Sequence, residues 1–180
     1  MISLVTKADL DNYKYVADSV KNNTSWPQFV SEAQMFDVKV WLGDGLLNEI
    51  ITQASTLPTT ISADNQKLLD GGTYVHDGKT YLFQGLKAAI MYYAFARFTN
   101  RTPYNYTVAG IVLKDSDLST PVGDKIVQRL ETEARLMADA IKCEITTFLD
   151  RNYTLYPLWK NQECRCGSSC DRPFFNVIGN

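Results

Sequence analysis

Apolar residues recur every three or four positions along most of this chain, and that spacing predicts helices. Thr6 followed by Asp9 resembles a capping box, after which Leu10, Tyr13, Ala17 and Val20 keep helical spacing up to the polar run KNNTS. Pro27 suits a first helical turn, and Phe29, Val30, Ala33, Phe36 and Val40 form an apolar stripe behind it. Glycines on either side of Asp44 interrupt the stripe before Leu46, Leu47, Ile50 and Ile51 resume it, so two helices are expected to meet at a sharp corner. The stretch TLPTTISADNQKLLDGG then reads as a loop and a short helix, capped by Ser62 and stopped by Gly71 and Gly72.

The period changes at TYVHDGKTYLF, where β-forming residues surround an Asp-Gly pair, so a hairpin turning at Asp77 and Gly78 is expected. From Leu86 the helical period returns in LKAAIMYYAFARFTN, apolar or small around nearly its whole circumference, with Lys87 and Arg97 toward its ends. A helix apolar all round is a buried one, which makes Ala88, Met91, Tyr92, Phe95 and Phe98 core candidates. YTVAGIVLKDSD has strand-like composition and offers the hairpin a further strand. Ser119 then reads as the cap of the longest helix, with Pro121 just after its start and Val127, Leu130, Ala134, Met137, Ile141, Ile145 and Phe148 on one stripe. About 30 residues at 1.5 Å each span roughly 45 Å, while a globule of this length is roughly 40 Å across. Such a helix runs the length of the molecule or projects beyond it. After Asn152 no helical period is left. The expected fold is therefore all-α, mainly a helical bundle with one long C-terminal helix, plus a small β-hairpin or sheet. Residues 1–152 form the helical domain, and 153–180 an extended arm rich in aromatic residues and cysteine.

Charge narrows the function. Eighteen basic residues against twenty acidic ones leave a net charge of -2, which provides no footprint for gripping phosphates, so no specific nucleic-acid partner is expected. MISLVTKADLDNY lacks a basic region followed by an apolar run, and no stretch reaches the roughly 18 apolar residues of a membrane span. Folding in a cytosol, with no membrane partner, is the expectation. The single histidine, His76, sits at the hairpin tip beside Asp77 as a solvated turn residue. No nucleophile elbow, metalloprotease, Walker or dinucleotide motif is present. Glu131 and Glu133 lie two positions apart on a helix, hence on different faces. The residues read as no enzyme, with no cofactor.

The cysteines leave more open. Cys164, Cys166 and Cys170 follow a C-x-C-x3-C spacing, and Cys143 on the long helix could complete a set of four thiolates. Structural zinc sites pair their ligands as C-x2-4-C, which only Cys166 and Cys170 satisfy. Cys143 is about 200° around the helix from Ile141 and would meet the tail only if the tail folds back. Metal ligation, a disulfide and free thiols all remain open, and the cysteine segment alone would support a small metal-binding or thiol-regulated interaction module. Alternatively the segment is a docking arm. Gly167, Ser168 and Ser169 give it flexibility, while Tyr156, Trp159, Phe174 and Phe175 supply the large apolar anchors of an assembly interface.

A family resemblance favours the second reading. EAQMFDVKVWLGDGLLNEI (Glu32 to Ile50), FQGLKAAIMYYAFARFTN (Phe83 to Asn100) and TVAGIVLKDSDLSTPVGDKI (Thr107 to Ile126), followed by a long helix and YPLW (Tyr156 to Trp159), carry it by their order and spacing. They resemble the head-to-tail connector, or neck ring, proteins of tailed phages, in the version carried by crAss-like and related gut phages and prophages. The similarity runs from about Trp26 to Trp159. It implies a helical adaptor, made in the bacterial host cytoplasm, that assembles as a homo-oligomeric ring in the virion neck. The ring is expected to be a dodecamer that lines the DNA channel beneath the portal protein and meets the next neck or tail protein. Such adaptors have a C-terminal arm that reaches a neighbour and contain no active site, and the resemblance assigns no metal to the cysteines.

Overall fold

The computed structural model describes residues 2–6, 9, 26–56, 60–101, 104–107, 110–113 and 123–160, with backbone alone at 104–107, 110–113 and 160. The expected helix over Leu10 to Val20, Ser119, and the segment 161–180 lie outside the described residues. The protein is mainly helical, with one long helix and an antiparallel hairpin, as its periodicity predicts. In chain order the elements are α1 (Trp26–Glu32), a π-helical segment (Ala33–Val38), α2 (Lys39–Leu42), α3 (Asp44–Ser55) and α4 (Ala63–Asp70). There follow β1 (Gly71–His76), β2 (Lys79–Gln84), α5 (Leu86–Arg101), β3 (Tyr104–Thr107), β4 (Gly110–Leu113), α6 (Asp124–Arg151) and α7 (Pro157–Lys160).

α5 is the axis of the core. Leu86, Ala88, Ala89, Ile90, Met91, Tyr93, Ala94, Ala96 and Phe98 are all buried on it, while Tyr92 and Phe95 are only half-buried. Its alanines let neighbouring backbones approach closely, and α6 packs along one side of it while α1 and the π segment cover another. Trp26 and Phe29 of α1 meet Phe98 edge to face, at 5.7 and 5.9 Å between ring centres. The local signals hold where they were strong. Thr6 and Asp9 do cap each other, the Thr6 N–H donating to the Asp9 carboxylate at 2.7 Å. Gly43 ends α2 at φ 86° and starts α3. Ser62 Oγ accepts from Asn65 N–H at 3.2 Å at the start of α4.

The stripe of α1 does not continue as an α-helix would carry it. Phe36 and Val40, expected inside, are 65% and 62% exposed, and Gln34, Val38 and Leu42 are buried in their place. The cause is the π segment. Its i→i+5 turn takes one residue more than an α turn, so after Ala33 the chain returns to the core later, at 38 and 42 rather than at 36 and 40. Two long-range contacts hold the extra residue. Gln34, wholly buried, accepts from Leu4 N–H at 2.9 Å and donates to the Ile2 carbonyl at 3.1 Å, pinning the N-terminal segment whose Leu4 and Val5 enter the core. Asp37 is held by Arg97 of α5. Leu42→Ala should accordingly cost about 2–5 kcal/mol in urea denaturation, and Val40→Ser should stay within about 0.5 kcal/mol of the natural protein. The reverse ranking would mean an uninterrupted α register.

The hairpin turns at Asp77 and Gly78, both at positive φ (50° and 71°), the geometry that Asp-Gly is suited to. Its inward face presents Tyr74, Tyr81 and Phe83 to the C-terminal end of α6, where Phe83 stacks on Phe148 at 4.1 Å. β3 and β4 pair with each other as a separate two-stranded sheet and add nothing to the hairpin, contrary to the expectation from composition. α6 has 28 residues, about 42 Å. Its cap is Gly123 in extended conformation, not Ser119, and Asp124 begins the helix. Ala138 is buried where Met137 was expected, Met137 is exposed, and Leu130 is half-buried.

Candidate functional site

Ion pairs bolt α1, the π segment, α5 and α6 together. Arg97 grips Asp37 with two hydrogen bonds, Nε to Oδ2 at 2.7 Å and Nη2 to Oδ1 at 3.0 Å. It also reaches Glu32 at 3.5 Å, and Glu32 in turn accepts from Arg101 at 2.8 Å. From α6, Arg135 approaches Asp37 at 3.6 Å and pairs with Glu131 at 3.0 Å. Asp37 and Arg97 are nearly covered, with side chains 11% and 15% exposed, so the pairing is needed to offset their desolvation. The hydrogen bond to Asp37 outweighs burial and keeps the Arg97 guanidinium more firmly protonated than usual. Beside it, burial and the 2.6 Å hydrogen bond to Asp139 push the Tyr93 phenol well above its ordinary range. These groups are locked in pairs, an arrangement suited to rigidity rather than proton transfer. The exposed Phe36 ring lies 5.6 Å from the Arg97 guanidinium.

The residues singled out from sequence are scattered. Tyr156 and Trp159, expected as anchors of an arm, are 2% and 3% exposed in the core of the chain itself. Tyr156 packs edge to face on Phe148 at 5.7 Å and donates to the Asp64 carbonyl at 2.7 Å. Burial, with the Asp64 charge nearby, pushes its phenol up. Trp159 Nε1 donates to Asp150 at 2.9 Å. The helical body therefore runs on to Lys160 and does not end at 152, because these two rings cover the end of α6. Cys143 is half-buried on the wall of a groove between the hairpin and α6, beside Tyr74, Tyr81, Leu82 and Arg151. Cys164, Cys166, Cys170, Phe174 and Phe175 lie outside the described residues. Among the described residues no group of three histidine, cysteine or acidic side chains could hold a metal. His76 lies 3.4 Å from Asp77 at the hairpin tip.

Two surface features had no signal in the sequence. One is a trough along the N-terminal part of α6, where Lys125, Gln128, Arg129, Thr132 and Leu136 share a face. The other is a pocket of about 270 Å³ at the opposite end of the molecule, between α3, α4 and the chain after α6. Glu49 and Asp64 line it, with Leu155 and Leu158 on its apolar side. Within it the buried Asn65 amide donates to Glu49 and Gln53, both at 3.0 Å. A pattern search misses such a site because its walls come from three separate segments.

A protein-family model matches residues 38–169 of this chain. The chain belongs to DUF6712, described as a family of unknown function. The DUF6712 region begins at the end of the π segment and takes in α2 to α7. It continues past the described residues to Ser169, so Cys164 and Cys166 fall within it, while Cys170, Phe174 and Phe175 lie beyond it. No curated protein and no solved structure matches the chain. Among the described residues of this DUF6712 member, no helix is long and apolar enough to cross a membrane.

Proposed function

We propose that this chain is a structural subunit of a tailed-phage neck, a head-to-tail connector that assembles as a ring below the portal protein and lines the DNA channel. The observation that carries the reading is α6. It is a helix of about 42 Å whose C-terminal half, from Ala138 to Leu149, joins the main core. Its N-terminal half leaves Ile126, Leu136 and Met137 exposed. A rigid rod anchored at one end, with large apolar side chains left exposed at the other, is the kind of element that a neighbouring subunit covers. The resemblance of the segment order to connector proteins supports the same reading, and the ion-bolted helices suit a part that bears load rather than one that turns over a substrate. The partners in this reading are further copies of the chain, the portal and the next neck or tail protein. Phe174 and Phe175 remain its proposed anchors in the C-terminal segment.

Native mass spectrometry and electron microscopy of the purified chain, alone at high concentration and mixed with the portal, should reveal a closed ring. A strictly monomeric protein that ignores the portal would overturn the reading.

A further inference from the structure

The two surface features at opposite ends of the subunit are complementary. On α6, Lys125 and Arg129 stand one turn apart, with Leu136, 54% exposed, two turns further along the same face. Glu133 is the one carboxylate among the described residues of that trough. At the other end, the pocket presents two carboxylates, Glu49 and Asp64, and no cation among its described residues, beside Leu155, 52% exposed. Neither cation has an ion-pair partner among the described residues, and neither carboxylate has a cation. Glu49 is half-buried and satisfied only by neutral amides, those of Asn65 and Gln53. Elsewhere on the molecule Lys39, Lys87, Arg97, Arg101 and Arg135 are paired, while Lys67, Lys79 and Lys142, like the two cations of the trough, have no carboxylate partner among the described residues. From Arg129 to Arg151 α6 rises about 33 Å, so the two features cannot meet within one subunit.

We infer that these surfaces form one heterologous contact, the Lys125, Arg129 and Leu136 face of one copy seating in the Glu49, Asp64 and Leu155 pocket of the next. The occupant is a second copy of this chain. A contact between different surfaces of identical subunits propagates head to tail and closes into a ring when its rotation permits. Opposite charges set the register, and the leucines supply apolar area that is removed from water on contact. This inference rests on the ring reading above and names the surfaces that would make the ring.

Two surface variants test it by sedimentation velocity at low salt. Lys125→Ala with Arg129→Ala disables only the α6 face, and Asp64→Lys with Leu155→Lys disables only the pocket. Each variant alone should lose self-association by at least about tenfold, with a thermal melt close to that of the natural protein. Mixed in equal amounts they should form a 1:1 dimer that grows no further, because one intact pocket meets one intact face. Lys125→Gln with Arg129→Gln repeats the measurement should the alanine pair alter the helix. A mixture that stays monomeric while the natural protein closes rings overturns this contact and leaves the connector reading standing. So does either variant that still closes rings alone. A natural protein that never self-associates, with or without the portal, overturns both.

Discussion

Gly85→Ala is expected to cost at least about 4 kcal/mol, at the extreme of what single substitutions do. Gly85 sits where β2 ends and α5 begins, and the chain of α4 and β1 passes directly against it. A methyl group there would overlap the Leu69 carbonyl oxygen and the backbone of Asp70 and Gly71. Each obstacle is main chain, so no side chain can rotate away, and relief requires opening the base of the hairpin. The inward aromatic face depends on that base, since Tyr74 and Phe83 pack on Phe148. With domains of this size stable by about 5–15 kcal/mol in all, that is roughly a quarter or more of the total. Gly45→Ala is the control. It lies in the first turn of α3 with only ordinary contacts to Leu158, and should stabilise by about 0.5–1 kcal/mol because alanine favours a helix more than glycine does. Paired urea titrations decide the matter. A Gly85→Ala melt within a degree or two of the natural one would show that the two segments do not pass this closely.

Trp159→Ala should be nearly as damaging, at about 3–5 kcal/mol, a fall in melting temperature on the order of 10 °C for a body of this length. The ring is 3% exposed, belongs to the main core, and its N–H is satisfied by Asp150. Removing it opens a cavity under the end of α6 and leaves the Asp150 carboxylate one donor short. Tyr156→Phe is the milder companion. It keeps the ring against Phe148 and loses only the hydrogen bond to the Asp64 carbonyl, a loss of roughly 1 kcal/mol. The distinction from an assembly role is direct. A residue acting only between subunits would leave the monomer's melt unchanged and weaken assembly. If Trp159→Ala melts like the natural protein, the segment after α6 is not part of the core.

Short-range chemistry was legible in the sequence. The Asp77-Gly78 turn, the Ser62 cap, the corner at Gly43 and the buried α5 all stand where residues a few positions apart specify them. Their energetics are local, because a cap needs a side chain three residues from its N–H and a tight turn needs positive φ at two neighbours. What tertiary structure decided depends on partners far along the chain. The π segment is held by Gln34 reaching back to Ile2 and Leu4, and by Asp37 meeting Arg97 sixty positions on. Only those contacts turn Phe36 and Val40 outward. Tyr156 and Trp159 read as free anchors because nothing nearby in sequence claims them, yet Phe148, Asp64 and Asp150 take them into the core. Neither the basic trough on α6 nor the acidic pocket had a signal in the sequence, and the walls of the pocket come from α3, α4 and the chain after α6. Periodicity determines which side of an element is apolar, and the packing of distant segments determines what that side meets.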